Sequence, residues 1–197
     1  MLAFLDTEFT DLVIRPRLLS VGVVAVGVLY PEFYAEVTDP DRLNSTCKFG
    51  QSLVLPQFDR IAGGACSYAD LGSRLSAFLD ELATQLVVGE FIDLAFGFHL
   101  DWELVDLAIK DSGASCWESL RHRIHPVNVY ELTGFGAGQT AAEAYFKSQA
   151  SAPFSRHHAL CDARALRVAY EAAQHAAAKP APPTVPSGGR TLRTVAA

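Results

Sequence analysis

Leu2-Ala3-Phe4-Leu5-Asp6-Thr7-Glu8-Phe9-Thr10 is an apolar run that breaks straight into acid. Residues 2–6 read as a short buried strand, and a buried strand needs neighbours. Residues 18–29, Leu18-Leu19-Ser20-Val21-Gly22-Val23-Val24-Ala25-Val26-Gly27-Val28-Leu29, are β-branched and apolar and read as a central strand. Tyr30-Pro31-Glu32 is turn chemistry, and Phe33-Tyr34-Ala35-Glu36-Val37 reads as a third strand closed by Asp39-Pro40-Asp41. Residues 40–66 are irregular, with Pro56 and Gly63-Gly64 as breakers. Ser67 is placed to cap a helix over about 68–85, in which Leu71, Leu75, Phe78, Leu79 and Leu82 share one face. Leu86-Val87-Val88-Gly89-Glu90-Phe91 reads as a fourth strand, and residues 101–111 as a helix with Leu104, Val105 and Ala108 inward. His125-Pro126-Val127-Asn128-Val129-Tyr130 reads as a fifth strand, followed by helices over about 139–149 and 159–178. The order β-β-β-α-β-α-β-α-α implies an α/β domain, a mixed five-stranded sheet with helices on both faces.

At 197 residues, half of them hydrophobic and 19% charged, the chain suits one globular domain, residues 1–178. From Lys179 onward the composition changes to Pro and Gly, so residues 179–197 are expected to be a tail. The net charge of −6 argues against a protein that coats nucleic acid nonspecifically. It does not exclude a nuclease, because two divalent cations in an acidic cluster contribute about +4 locally. Cys47, Cys66, Cys116 and Cys161 are scattered without a C-x-x-C pair, so a zinc knuckle or redox dithiol is not expected and a reducing compartment, the cytoplasm, is the default. No basic segment leads into an apolar stretch with a small-residue cleavage site, so no signal peptide is expected. No charge-free apolar run is long enough for a transmembrane helix, and no membrane partner is expected.

Asp6 and Glu8 are two apart on a strand, so both carboxylates point to one side. Placed directly after a core strand, they cost desolvation unless something pairs with them. The same D-x-E spacing recurs at Asp101-Trp102-Glu103, so the spacing alone decides little. Asp101 opens an amphipathic helix, where an N-cap is the plainer reading, and Asp93 is a rival eight residues earlier. Near the chain's end, His157-His158-Ala159-Leu160-Cys161-Asp162 puts two histidines in a loop and an acid in the first turn of the last helix, where the helix dipole also favours it. The ordinary reading of His157 and His158, beside Arg156, is a solvated loop. Carboxylates suit hard divalent cations, two of which about 3.5–4 Å apart can hold the attacking and leaving oxygens of a phosphodiester displacement.

Asp6-Thr7-Glu8-Phe9-Thr10-Asp11-Leu12 resembles the first exonuclease motif of the DEDD superfamily, D-x-E-x-T-G-L, and His157-x-Ala159-x-x-Asp162 resembles the third motif of its DEDDh branch, H-x-A-x-x-D. The helix opened by Asp101 stands where the second motif belongs. The likeness spans roughly residues 2–175 and extends to ribonuclease T, oligoribonuclease and, through His157 to Arg164, small bacterial 3′-5′ exoribonucleases. It implies a ribonuclease-H-like fold, with two Mg²⁺ or Mn²⁺ ions held by Asp6, Glu8, Asp101 and Asp162 and with His157 as general base. It further implies release of 5′-mononucleotides from the 3′ end of RNA or single-stranded DNA. Two departures stand out. Asp11 occupies a position where the family often has Gly, and the second motif lacks a clear Asn before its Asp.

Phe9, Thr10, Leu12 and Trp102 are the candidate substrate-binding residues, Phe9 by stacking on a base and Leu12 by wedging beside it. For Phe9 core packing is the even alternative, and Trp102 equally suits anchoring its own helix. Arg15, Arg17, Arg121, Arg123 and Arg156 are candidates for phosphate contact, each more simply read as solvated surface. Rival functions are a phosphodiesterase of nucleotides or very short oligonucleotides, a binding module with dead chemistry, and a structural partner protein. A homodimer, through the tail or residues 40–66, is compatible with the sequence.

Overall fold

In the computed structural model, residues 1–12, 15–27 and 32–178 are described. The expected tail, residues 28–29 of the second expected strand, and Tyr30-Pro31 of the expected turn lie outside them. Strands β1 (Leu2–Phe9), β2 (Leu18–Val26) and β3 (Glu32–Val37) form an antiparallel meander. A short helix α1 (Pro40–Asn44), a π-helical turn (Gly50–Val54) and a 3₁₀ turn (Leu55–Gln57) follow, then β4 (Ala65–Cys66) and α2 (Tyr68–Thr84). The second half runs β5 (Ile92–Phe96), α3 (His99–Asp111), α4 (Trp117–Arg121), β6 (Ile124–Asn128), α5 (Tyr130–Thr133), α6 (Gly136–Ser148) and α7 (Ala159–Ala178).

The sheet is mixed and six-stranded, in the order β4-β3-β2-β1-β5-β6. The five-stranded expectation is therefore corrected. The extra strand is two residues long, inside a stretch that looks irregular in sequence, and it pairs parallel with β3 at Glu36 and Val37. A strand that short carries no periodicity to detect. The fourth expected strand is also displaced. Residues 86–91 form a turn with Gly89 at φ +90° and Val88 fully exposed, and the strand is Ile92–Phe96 instead. Ile92–Phe96 lies between β1 and β6, parallel to both, which buries all of it except Asp93. The fifth expected strand ends two residues early, because Tyr130 begins α5.

Side chains of a strand alternate between faces, and β1 shows what each face buries. Ala3 and Leu5 join Leu71, Leu75 and Leu79 of α2 and Val105 and Ala108 of α3 in the larger core. Phe4 faces the other way and packs edge-on against Tyr170 of α7, ring centroids 5.4 Å apart. Asp6 and Glu8 follow Phe4 in the alternation, so the same rule turns them toward α7. One glycine brings that helix close. Gly22 is the β2 partner of Asp6, and a Cβ there would lie 2.5 Å from the Ala159 carbonyl carbon and closer still to the Leu160 nitrogen. Only a residue without a side chain lets the first turn of α7 seat on the sheet beside Asp6.

Candidate active site

β1 and β5 are parallel, so their carboxyl ends open on one side, which is where open α/β sheets place their ligands. A cavity of about 730 Å³ lies there. Asp6 and Glu8 reach it from β1, Asp101 from the first turn of α3, and His157 and Asp162 from the start of α7. All five sequence-derived candidates for metal and proton chemistry thus meet in one place. Asp93, the rival of Asp101, does not. It pairs with Leu2, four residues before Asp6 and so about 13 Å away along the strand. Its carboxylate meets His125 Nδ1 of β6 at 3.0 Å, outside the cavity.

Asp101 is 3% exposed and serves two ends at once. Its Oδ1 accepts from the Thr7 hydroxyl at 2.8 Å and, at 3.3 Å, from the Thr7 amide, while its Oδ2 accepts from the Phe98 amide at 3.0 Å. The N-cap expectation is corrected: Phe98 is the N-cap of α3, and Asp101, the third residue of the helix, reaches back to the Phe98 amide as in a capping box while also lining the cavity. Asp162 Oδ2 accepts from the His157 amide at 3.1 Å, and its buried Oδ1 has no hydrogen-bond partner. A carboxylate oxygen buried without a donor is costly, and a bound cation is the natural remedy. Glu8, His157 and Asp162 each offer a ligand atom within 4.8 Å of the others. Among the described residues, no set drawn that tightly includes Asp6 or Asp101.

The proton affinities follow from this crowding. Burial, then the charges of Asp101, Asp162 and Glu8, holds Asp6 well above the usual carboxylate range. Glu8 is raised by burial and then by Asp162 and Asp101. Asp101 and Asp162 are raised by burial as well, against the hydrogen bonds that favour their charged forms. Among the described residues, no Lys or Arg lines the 730 Å³ cavity to neutralise these groups. The donor set, all oxygen plus one imidazole, with an orphaned buried carboxylate oxygen, fits divalent metal.

His157 has φ +68°, a left-handed conformation that costs a side chain of this size of order 1–3 kcal/mol. It is the third residue of a turn closed by the His158 amide donating to the Ser155 carbonyl at 3.1 Å. Burial, then the positive charge of Arg156, depresses its proton affinity, so the ring is neutral near pH 7 and able to accept a proton. His158 corrects the solvated-loop expectation. It is 2% exposed, and burial lowers its pKa to about 4.

Phe9 and Leu12 line the cavity, Phe9 stacked at 6.3 Å on Phe98 and Leu12 72% exposed at the rim. Thr10 and Trp102, the other two expected substrate contacts, do not line it. Thr10 is buried and spends its hydroxyl on the Arg17 amide, and Trp102 packs on the core beside Trp117 at 6.2 Å. The sequence reading missed Phe49, Phe98 and Tyr130, which are exposed apolar residues of the rim. They belong to turns and helix ends, where no periodicity marks them; the usable signal is a large apolar residue in a segment with nothing to bury it. Of the five arginines, Arg156 alone borders the site. It lines a second lobe of about 280 Å³ that shares Asp6, His157 and Asp162 with the first. Its guanidinium lies 4.1 Å over the Phe146 ring and pairs with Glu143 at 2.5 Å. Arg17 is paired with Asp41 and Arg121 with Asp106.

The chain matches no protein-family model, and no curated protein is significantly similar to it. Among the described residues, no helix is long and apolar enough to cross a membrane.

Proposed function

We propose that this protein is a metal-dependent 3′-5′ exonuclease of single-stranded nucleic acid, RNA foremost, on a ribonuclease-H-like fold. The observation that carries this reading is the meeting of Asp6, Glu8, Asp101, His157 and Asp162 in one cavity, with a buried Asp162 oxygen left unpaired. The mixed sheet, with its antiparallel meander and acids at the carboxyl end of β1, is compatible with that fold. Asp6, Glu8, Asp101 and Asp162 would hold two Mg²⁺ or Mn²⁺ ions. Bound there, such ions supply a polarised phosphoryl group and a more acidic water. Neutral His157 takes the proton of the attacking water on an unprotonated ring nitrogen. Asp162 Oδ2 orients that residue by accepting a hydrogen bond from its amide. Phe9, Phe98 and Leu12 give a base apolar surface to stack against, which is tolerant of sequence. Arg156, at the second lobe, would place a positive side chain near a bound phosphate.

The size of the cavity favours a second reading of the substrate. A volume of about 730 Å³ encloses one or two nucleotides rather than a long strand, as small-molecule sites do. A phosphodiesterase of very short oligonucleotides would use the same residues. A length series from dinucleotide to 20-mer, with Mn²⁺ or with EDTA and beside Asp6→Ala and His157→Ala, tests both. Metal-dependent release of mononucleotides, lost in both variants, is expected at every length. Activity confined to dinucleotides would select the second reading, and activity surviving Asp6→Ala would reject both.

A further inference from the structure

His158 is a buried, polar side chain with no polar partner. Neither Nδ1 nor Nε2 has a hydrogen bond, so its role there is not a polar one. The ring is instead held flat between two aromatic rings. Tyr34 of β3 stacks on it at 4.4 Å and 17°, and Phe154 at 4.3 Å and 20°. Tyr34 is itself fixed, since its hydroxyl donates to Glu36 Oε2 at 2.5 Å, and Glu36 Oε1 accepts from the Asp59 amide at 2.7 Å. Phe154 and His158 flank the turn that carries His157. A second anchor grips the turn. Gln57 Oε1 accepts from the Ser155 amide at 2.8 Å, while Gln57 Nε2 donates to the Arg156 carbonyl at 2.8 Å and to the Leu53 carbonyl at 2.8 Å.

Left to itself, a histidine does not settle at φ +68°. The His157 amide bond to Asp162 is one tie, but it is too short in span to set the turn's position against the sheet. We propose that the Tyr34–His158–Phe154 stack, with Gln57 gripping the turn, is a positioning device that holds His157 in its left-handed conformation facing the acids. His158 and Gln57 are then positioning residues, and neither lines the cavity. The inference rests on His157 being the base.

The test compares His158→Ala, His158→Phe and Gln57→Ala by steady-state kinetics and by amide hydrogen exchange at His157. His158→Ala is expected to lower kcat by about ten- to a hundredfold, the scale of a misplaced reacting group, with KM and Mn²⁺ affinity little changed. His158→Phe, which keeps the stack and lacks only the partnerless nitrogens, is expected to restore most of kcat. Gln57→Ala is expected to fall between them. The His157 amide should exchange faster in His158→Ala and return to the wild-type rate in His158→Phe. Equal kcat and equal exchange in wild type and His158→Ala would overturn the proposal. So would a folded His158→Phe as slow as His158→Ala, because the imidazole itself would then matter. Wild-type protein inactive on every oligonucleotide, with the exchange pattern as stated, would sink the exonuclease reading while supporting the positioning stack.

Discussion

Asp162 holds two needs in opposition. Its carboxylate must be ionised to bind a cation, yet it sits where burial raises its pKa to about 7 and where Oδ1 has no donor. Without metal, that charge is a cost to the fold; on the proposed function, metal would take it as a ligand. Replacing it should therefore move stability and activity in opposite directions. Asp162→Asn keeps an oxygen for the His157 amide and removes the charge. In EDTA at pH 8 its Tm is expected to exceed that of wild type by about 2–4 °C, the shift that about 1 kcal/mol makes in a chain of this size. On the proposed function, activity on oligonucleotides should drop by about a hundredfold. Thermal melts and a single nuclease assay check both. The acids of this site were legible because residue type, strand alternation and helix start all act locally. The burial of His158 was not, because the residue type and Arg156 beside it point to solvent, and Tyr34 of β3, one of the two rings that cover it, is distant in sequence.

Among the elements, the seat of α7 on β2 decides whether Asp162 reaches the acids of β1. Gly22 is the point of closest approach, and an added methyl has nowhere to go between two backbones. Gly22→Ala is expected to cost about 1–3 kcal/mol, as overpacking does, measured by urea denaturation. It should also weaken Mn²⁺ binding, because the first turn of α7 must lift away from Asp6. Lost stability with unchanged Mn²⁺ affinity would show that the seat and the site are independent. β1, β2 and β3 could be read from the chain as apolar, β-rich runs, and α2 from the apolar face that its spacing marks. β5 was read six residues early because Leu86-Val87-Val88 is more β-branched than Ile92-Asp93-Leu94, and only pairing on both sides selects the latter. The sixth strand is a consequence of β3 finding a partner at its outer edge, and no local signal records that.

At the scale of the whole molecule, four raised carboxylates tie folding to pH. An ordinary Asp releases its proton near pH 3.9 in the unfolded chain, whereas Asp162 holds its own to about pH 7 when folded. Between these values the folded state binds more protons, so metal-free stability falls as pH rises through the window. Asp6 and Glu8, also raised, act in the same direction. On the proposed function, divalent metal would bind the ionised forms and reverse the penalty. The Tm in saturating Mn²⁺ minus the Tm in EDTA is therefore expected to widen from about pH 4 to about pH 7; parallel curves would deny that these acids hold metal. The most direct measurement of the central claim is the product pattern from one single-stranded RNA, labelled at its 3′ end in one tube and its 5′ end in another, in Mn²⁺. A 3′-5′ exonuclease releases the 3′ label at once as a 5′-mononucleotide, while the 5′-labelled strand shortens one nucleotide at a time. Internal fragments, loss from the 5′ end, or an intact strand under every metal condition would contradict the claim.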